Sequence, residues 1–214
     1  MKLTLNLFEK SDVYSSFGAY VRILLASASE RRGAILSARF PNLRQIALEG
    51  VDEVVPRGLI SEQVREVVSR KAKAVQHDDA YDVVVVADTL VEDPDDARAA
   101  LGKPHTKEEA IAMLLRLRGC RHRVWSATMV HAVGQWQTSI EYALVEVSDF
   151  SDEVLIELIN SDSWVGKAGG YDLAGKMGQY ATLIEGSEST VLGFTQSSLD
   201  YLEEVQSLFS MSRS

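Results

Sequence analysis

Two stretches put chemically capable groups where an α/β protein would use them. Residues 82–89 (DVVVVADT) carry four consecutive valines. Such a run suits a strand enclosed on both faces, so it reads as the central strand of an α/β sheet. Ligands of open α/β sheets sit beyond the carboxyl ends of strands, and this strand is expected to deliver the Asp88 carboxylate to its far end. The second stretch, residues 22–26 (RILLA), has the pattern of a buried strand and leads into the small-residue loop Ser27-Ala28-Ser29. Ser29 can cap a helix that opens with Glu30, Arg31 and Arg32 and runs to about Arg39. Strand, small loop and helix N-terminus together form an anion site: unpaired N–H groups point outward, hydroxyls add donors, and an arginine pair suits phosphate oxygens. Taken alone, the stretch favours a plainer reading, a capped helix with two solvated arginines.

Other candidates are conditional on what reaches them. Gly50-Val51-Asp52-Glu53 ends near Pro56, and paired acids in a loop are solvated unless other elements bring a metal or a substrate to them. Ser61 can cap a helix to about Gln76, with Val64, Val67, Val68, Ala72 and Val75 as its apolar stripe. Lys71 falls on that inward side and Lys73 points away. An inward ammonium must snorkel or meet an anion, because burying it unpaired is costly. Residues 166–178 (GKAGGYDLAGKMG) hold five glycines, where the backbone turns sharply or approaches something closely. By composition that is a flexible loop more often than a binding loop.

The elements that must position these groups follow from the same patterns. Residues 92–98 (EDPDDAR) read as the acidic tip of a hairpin, closed by Gly102-Lys103-Pro104. Thr106 and Glu109 form a capping box for a helix with Ala110, Met113, Leu114 and Leu117 inward, stopped at Gly119. Residues 123–133 and 136–147 read as two strands joined around Gly134-Gln135, and Ser151 caps a helix to about Asn160. A short strand over 180–184, a polar glycine-bounded stretch over 186–193 and a closing helix over 196–208 complete the chain. Residues 1–20 read as an extension before a single domain spanning 21–214.

The totals exclude several classes. The chain has 214 residues, 46% hydrophobic and 25% charged, with a net charge of −9. That balance fits a soluble domain and opposes nonspecific binding to nucleic acid or anionic membranes. No run approaches the roughly 18 apolar residues of a membrane span. Residues 1–20 lack the features of a secretory or transit segment. The single Cys120 excludes an internal disulfide framework and a cysteine-based zinc cluster, and fits a reducing, cytoplasmic setting.

The order of segments resembles the Maf family of nucleoside triphosphate pyrophosphatases, formerly described as septum-formation inhibitors. The resemblance runs from about Ile23 to about Leu202 and rests on ASASERR in the first loop, the Gly-Val-Asp-Glu turn, Lys71-Ala72-Lys73-Ala74 and Ala87-Asp88-Thr89. It continues through Gly102-Lys103-Pro104, Lys167-Ala168-Gly169-Gly170-Tyr171 and Thr190-Val191-Leu192-Gly193. It implies Asp88 as the catalytic acid–base residue and a metal ligand, with Glu53 as an acidic partner near the metal. It implies phosphate contacts from Arg31, Arg32, Lys71 and Lys103, and a phosphate-cradling loop at Ser27 and Ser29. The implied fold is a mixed, twisted α/β sheet with flanking helices, in two lobes around a nucleotide cleft as in inosine triphosphatase-like proteins, and the implied assembly is a homodimer. Three positions depart from the family pattern: Glu30 replaces a proline, Gly166 an aspartate, and Ala174 the glutamine of an Ile-Gln-Gly triplet.

The function implied is Mg²⁺- or Mn²⁺-dependent cleavage of a nucleoside triphosphate between its α- and β-phosphates, a nucleotide house-cleaning role. The double arginine and Ala-Asp-Thr resemble the subgroup acting on dTTP, UTP and modified pyrimidine nucleotides. The alternative is a nucleotide-binding regulator of cell division with catalysis impaired through Ala174. A purine-directed pyrophosphatase would share the reaction but not these motifs.

Overall fold

The computed structural model describes residues 20–76 and 79–211. The extension expected over 1–20 lies outside the described residues except for Tyr20. Among the described residues, seven strands form one mixed sheet. Strand β1 (Ile23–Ala26) pairs in parallel with β2 (Leu43–Ile46) on one side and β3 (Val83–Asp93) on the other. The order continues through antiparallel β5 (Arg121–Ala132), β6 (Gln135–Val147) and β7 (Ala181–Glu185), while β4 (Asp96–Leu101) forms a hairpin with β3.

β3 is the spine, and its valines account for that. Val83, Val85 and Ala87 enter one core with Leu36 of α1 (Glu30–Ser37) and with Leu199 and Leu202 of α6 (Gln196–Met211). Val84, Val86 and Leu90 enter the opposite core, under Val64, Val68 and Ala72 of α2 (Ile60–Ala74). Each such side chain taken fully out of water contributes roughly 1.5–3 kcal/mol. A third core lies further along the sheet, where Val91 and Val145 pack with α3 (Lys107–Leu117) and α4 (Asp152–Asn160).

β3 runs past the expected end at Thr89, because Leu90 and Val91 continue its apolar pattern and pair with Trp125 and Val124 of β5. Asp88 therefore sits in mid-strand. The sheet opens beside it all the same. β5 occupies one edge of β3 from Val83 to Val91, so β1 at Val83–Val85 and β4 at Val91–Asp93 must share the other edge. Between them the edge is forked, and Asp88 lies in the fork.

Several boundaries differ from the sequence reading. Glu92 and Asp93 belong to β3 and are buried. Glu92 accepts from Arg123 and Trp125, and Asp93 from Arg116. The β5–β6 turn falls on Val133-Gly134, both with positive φ, one residue before the expected pair. β2 and the short helix α5 (Glu188–Leu192) have no counterpart in the sequence reading.

Candidate active site

The alternation of β3 sends neighbouring residues to opposite faces. Asp88 faces α2, like Val84 and Val86, and Lys71 comes from the stripe of α2 that packs there. The two meet, with Lys71 Nζ 2.7 Å from Asp88 Oδ1. Glu53, from the loop between β2 and α2, reaches the same ammonium at 3.0 Å. Lys71 is 8% exposed, so it has met anions instead of snorkelling. Partial burial alone would raise the Glu53 pKa. The charge and hydrogen bond of Lys71, with Lys103 and Arg32 behind them, outweigh burial and hold it below the usual carboxylate value.

Thr89 faces the other way and shares a hydrogen bond with Ser126 of β5 at 2.8 Å. Arg32 reaches it through the fork. Its Nη2 donates to Thr89 Oγ1 at 2.9 Å, and its Nη1 donates to Ala87 O at 2.9 Å and Ser27 Oγ at 3.4 Å. Its Nε donates to Gly193 O at 3.0 Å. Burial pulls the Arg32 pKa below the ordinary arginine value, against the pull of Asp88. Gly193 is required for this approach: its φ is +118°, and a Cβ there would lie 2.8 Å from Arg32 Nε. Arg32 is thus a tie between α1, β3 and the turn after α5, with little of its guanidinium left over for a ligand.

The loop between β1 and α1 is held in place. Ser29 caps α1 through the Arg32 N–H, and Ser27 Oγ accepts from the Ser29 N–H at 3.2 Å. Gln45 of β2 donates to the carbonyls of Ser27 and Ser29. Arg31 donates through Nε to Leu192 O and through Nη1 to Asp172.

A cleft of about 390 Å³ joins these pieces. Ser27, Ser29, Arg31, Arg32, Glu53, Lys71, Asp88 and Lys103, the residues expected from the sequence, all border it. Thr89 and Lys167 border it too, as do the apolar Leu48 and Val165. Five cationic side chains face three acidic ones there, in a chain of net charge −9. A local surplus of that kind suits a polyanion. Glu30 lies on the same border, and at Gly166 a side chain would meet open space. Ala174 is exposed and is not among the residues bordering the cleft.

Among the described residues no group of three or more His, Cys, Asp or Glu side chains gathers to hold a metal. Asp88 and Glu53 converge on one ammonium, so they are close enough to share a cation. Two carboxylates fit Mg²⁺ or Mn²⁺ when substrate phosphates complete the ligand set. Among the described residues no helix is long and apolar enough to cross a membrane.

Fold and site together define an α/β protein with a polyanion cleft at a forked sheet edge. The family model described as "Maf-like protein" matches residues 22–204, and the chain belongs to that family. It is 33% identical over 174 residues to a dTTP/UTP pyrophosphatase of Geobacillus sp. (strain WCH70), covering 80% of this chain and 91% of that one. It is 31% identical over 192 residues to a dTTP/UTP pyrophosphatase of Clostridium beijerinckii, covering 87% of this chain and 100% of that one. The structure of the Staphylococcus aureus Ham1 protein aligns with 60% of this chain and 72% of that one, at 14% identity and a TM-score of 0.40.

Sequence reasoning missed Thr89, Gln45 and Lys167 as members of the site. Thr89 was within reach, since strand alternation puts it opposite Asp88. Gln45 lies on an edge strand with no strong pattern, and Lys167 is one cation in a glycine-rich stretch.

Proposed function

We propose that the chain hydrolyses nucleoside triphosphates to the monophosphate and pyrophosphate with a divalent metal, dTTP and UTP being its preferred substrates. The observation that carries this reading is the Asp88 carboxylate held by Lys71 inside a ring of cations. The names of the relatives support the substrate class. Asp88 orients or deprotonates the attacking water, a role that needs a carboxylate in contact distance of it. Lys71, Lys103 and Arg31 offset charge on the phosphates and on the departing pyrophosphate, the main source of catalysis in phosphoryl transfer. Ser27 and Ser29 present hydroxyls and the helix N-terminus to the same oxygens, while Arg32 holds that loop to β3. Asp88 and Glu53 would hold Mg²⁺ or Mn²⁺ together with substrate oxygens, and the ion would supply further charge neutralisation there. The same reading takes residues 21–214 as one domain, the assembly as a homodimer and the setting as cytoplasmic.

Product analysis tests it. With Mg²⁺ or Mn²⁺, dTTP or UTP yields monophosphate and pyrophosphate, not diphosphate and phosphate. Asp88→Asn lowers kcat by about two orders of magnitude or more, as loss of a positioned acid–base group does. Diphosphate as the product, or near-normal turnover of the variant, would contradict it.

A further inference from the structure

Asp172 is not among the residues bordering the cleft, yet two of the cations on that border are held by it. Its Oδ1 accepts from Arg31 Nη1 at 3.1 Å, and its Oδ2 lies 3.6 Å from Lys167 Nζ. Arg31 belongs to α1 and Lys167 to the glycine-rich loop, so one carboxylate joins two separate segments of the border. The carboxylate is itself fixed. The Ala174 N–H donates to Oδ1 at 3.1 Å, and the Gly175 N–H closes a turn onto Asp172 O at 3.0 Å. The preceding Tyr171 is buried, with its hydroxyl 2.7 Å from His122 Nε2. One turn earlier in the loop, the Gly169 N–H donates to Gly102 O at 2.9 Å. Gly169 has a φ of +69°, and a Cβ there would press on Val91 at 3.1 Å.

Arginine and lysine carry many rotamers, and like charges drive them apart. Arg31 Nε keeps its bond to Leu192 O at 2.9 Å in either case, but without the shared counter-charge its outer guanidinium nitrogens, beside Arg32, and the Lys167 ammonium would turn toward solvent. We infer that Asp172 is a positioning residue that holds Arg31 and Lys167 as one pre-oriented cationic pair for the polyphosphate of the substrate. The inference rests on the proposed function for the identity of that polyphosphate. An opposite effect competes with it: a carboxylate so close also weakens the attraction of the cleft for anions, so its removal by charge alone would tighten binding. The two effects have opposite signs, which makes the test decisive.

The full chain is titrated with inorganic triphosphate by calorimetry, and dTTP hydrolysis is followed in parallel. Asp172→Asn keeps an acceptor for Arg31 and Ala174 but loses the charge, whereas Asp172→Ala loses both. Positioning raises Kd for inorganic triphosphate roughly threefold in the first and about tenfold or more in the second, with KM following and kcat changing less. In an Arg31→Ala/Lys167→Ala background, Asp172→Ala then adds less than about twofold, because the groups it positions are gone. Tighter binding in both variants, or unchanged Kd with only a lower Tm, overturns the inference. If Asp172→Ala does not fold, the direction of change in Asp172→Asn decides. A protein that binds inorganic triphosphate but releases no pyrophosphate from nucleotides defeats the proposed function and leaves this inference to the Kd series. Failure of the unsubstituted chain to bind inorganic triphosphate overturns the inference outright.

Discussion

Lys71 and Lys73 stand two positions apart on α2 and live in different solvents. Lys71 is buried between Asp88 and Glu53, and Lys73 is exposed. Lys71→Ala leaves two carboxylates facing each other without their ammonium, and it is expected to lower kcat/KM for dTTP by about a hundredfold or more. Lys73→Ala is expected to change it less than about twofold, as exposed substitutions usually do. Steady-state kinetics of both variants check this, and equal effects would refute it. The amino-acid sequence carries this distinction by itself, because helical period alone puts Lys71 on the stripe of Val64 and Val68. Asp172 is not legible in the same way. A single acid among glycines has no period, and its value comes from Arg31, 141 positions away in sequence.

At the scale of elements, β5 and the glycine-rich loop are joined through a buried histidine. His122 is 3% exposed, its Nε2 bonds the Tyr171 hydroxyl, and its Nδ1 has no partner among the described residues. Burial lowers its pKa from 6.5 to about 4. Between those values the unfolded chain binds a proton that the native chain refuses. Stability is therefore lost as pH falls from about 6.5 toward 4, and is unaffected by this group above that window. The expected loss between pH 7 and pH 5 is about 2 kcal/mol, at 1.36 kcal/mol per pKa unit. Urea denaturation at both pH values, with His122→Gln as the comparison, measures it. The variant should show a slope flatter by about that amount, whatever its absolute stability, and an unchanged slope would acquit His122. Elements with a strong period are legible in the sequence: α2 and α6 from their stripes, α3 from its stripe and cap, α4 from its cap and β3 from its valines. Ser61, expected to cap α2, lies inside that helix, and Leu59 stands at its N-cap. β2 is not, since its four residues Leu43–Ile46 sit at an edge with exposed Arg44 and Gln45 in the middle. Nor is α5, five residues long and too short for a stripe to show.

The whole molecule is organised by the fork in its sheet, where β1 leaves one edge of β3 and β4 takes it up again. The cleft carries only two carboxylates suited to a cation, so metal alone should bind weakly. Millimolar Mg²⁺ is expected to raise Tm little. Mg²⁺ with a non-hydrolysable dTTP analogue at about a hundred times its Kd should add about 2.7 kcal/mol, or roughly 5–10 °C for a chain of this size. Thermal unfolding checks it. Equal stabilisation by Mg²⁺ alone would mean that a resident metal site exists without the nucleotide. The fork is not legible in the sequence, because nothing local says that β1 and β4 share an edge.

A forked edge has a second consequence, for solubility. Among the described residues, main-chain groups of β3 between Val85 and Val91 face no neighbouring strand on that side, and an open rung of this kind is a template on which another chain can add a strand. Arg32 covers it by donating to Ala87 O, the place a partner strand would take. The side chain that keeps the cleft's loop in place also occupies this rung, so Arg32→Ala is expected to show in the test tube as turbidity on standing as well as in lower turnover.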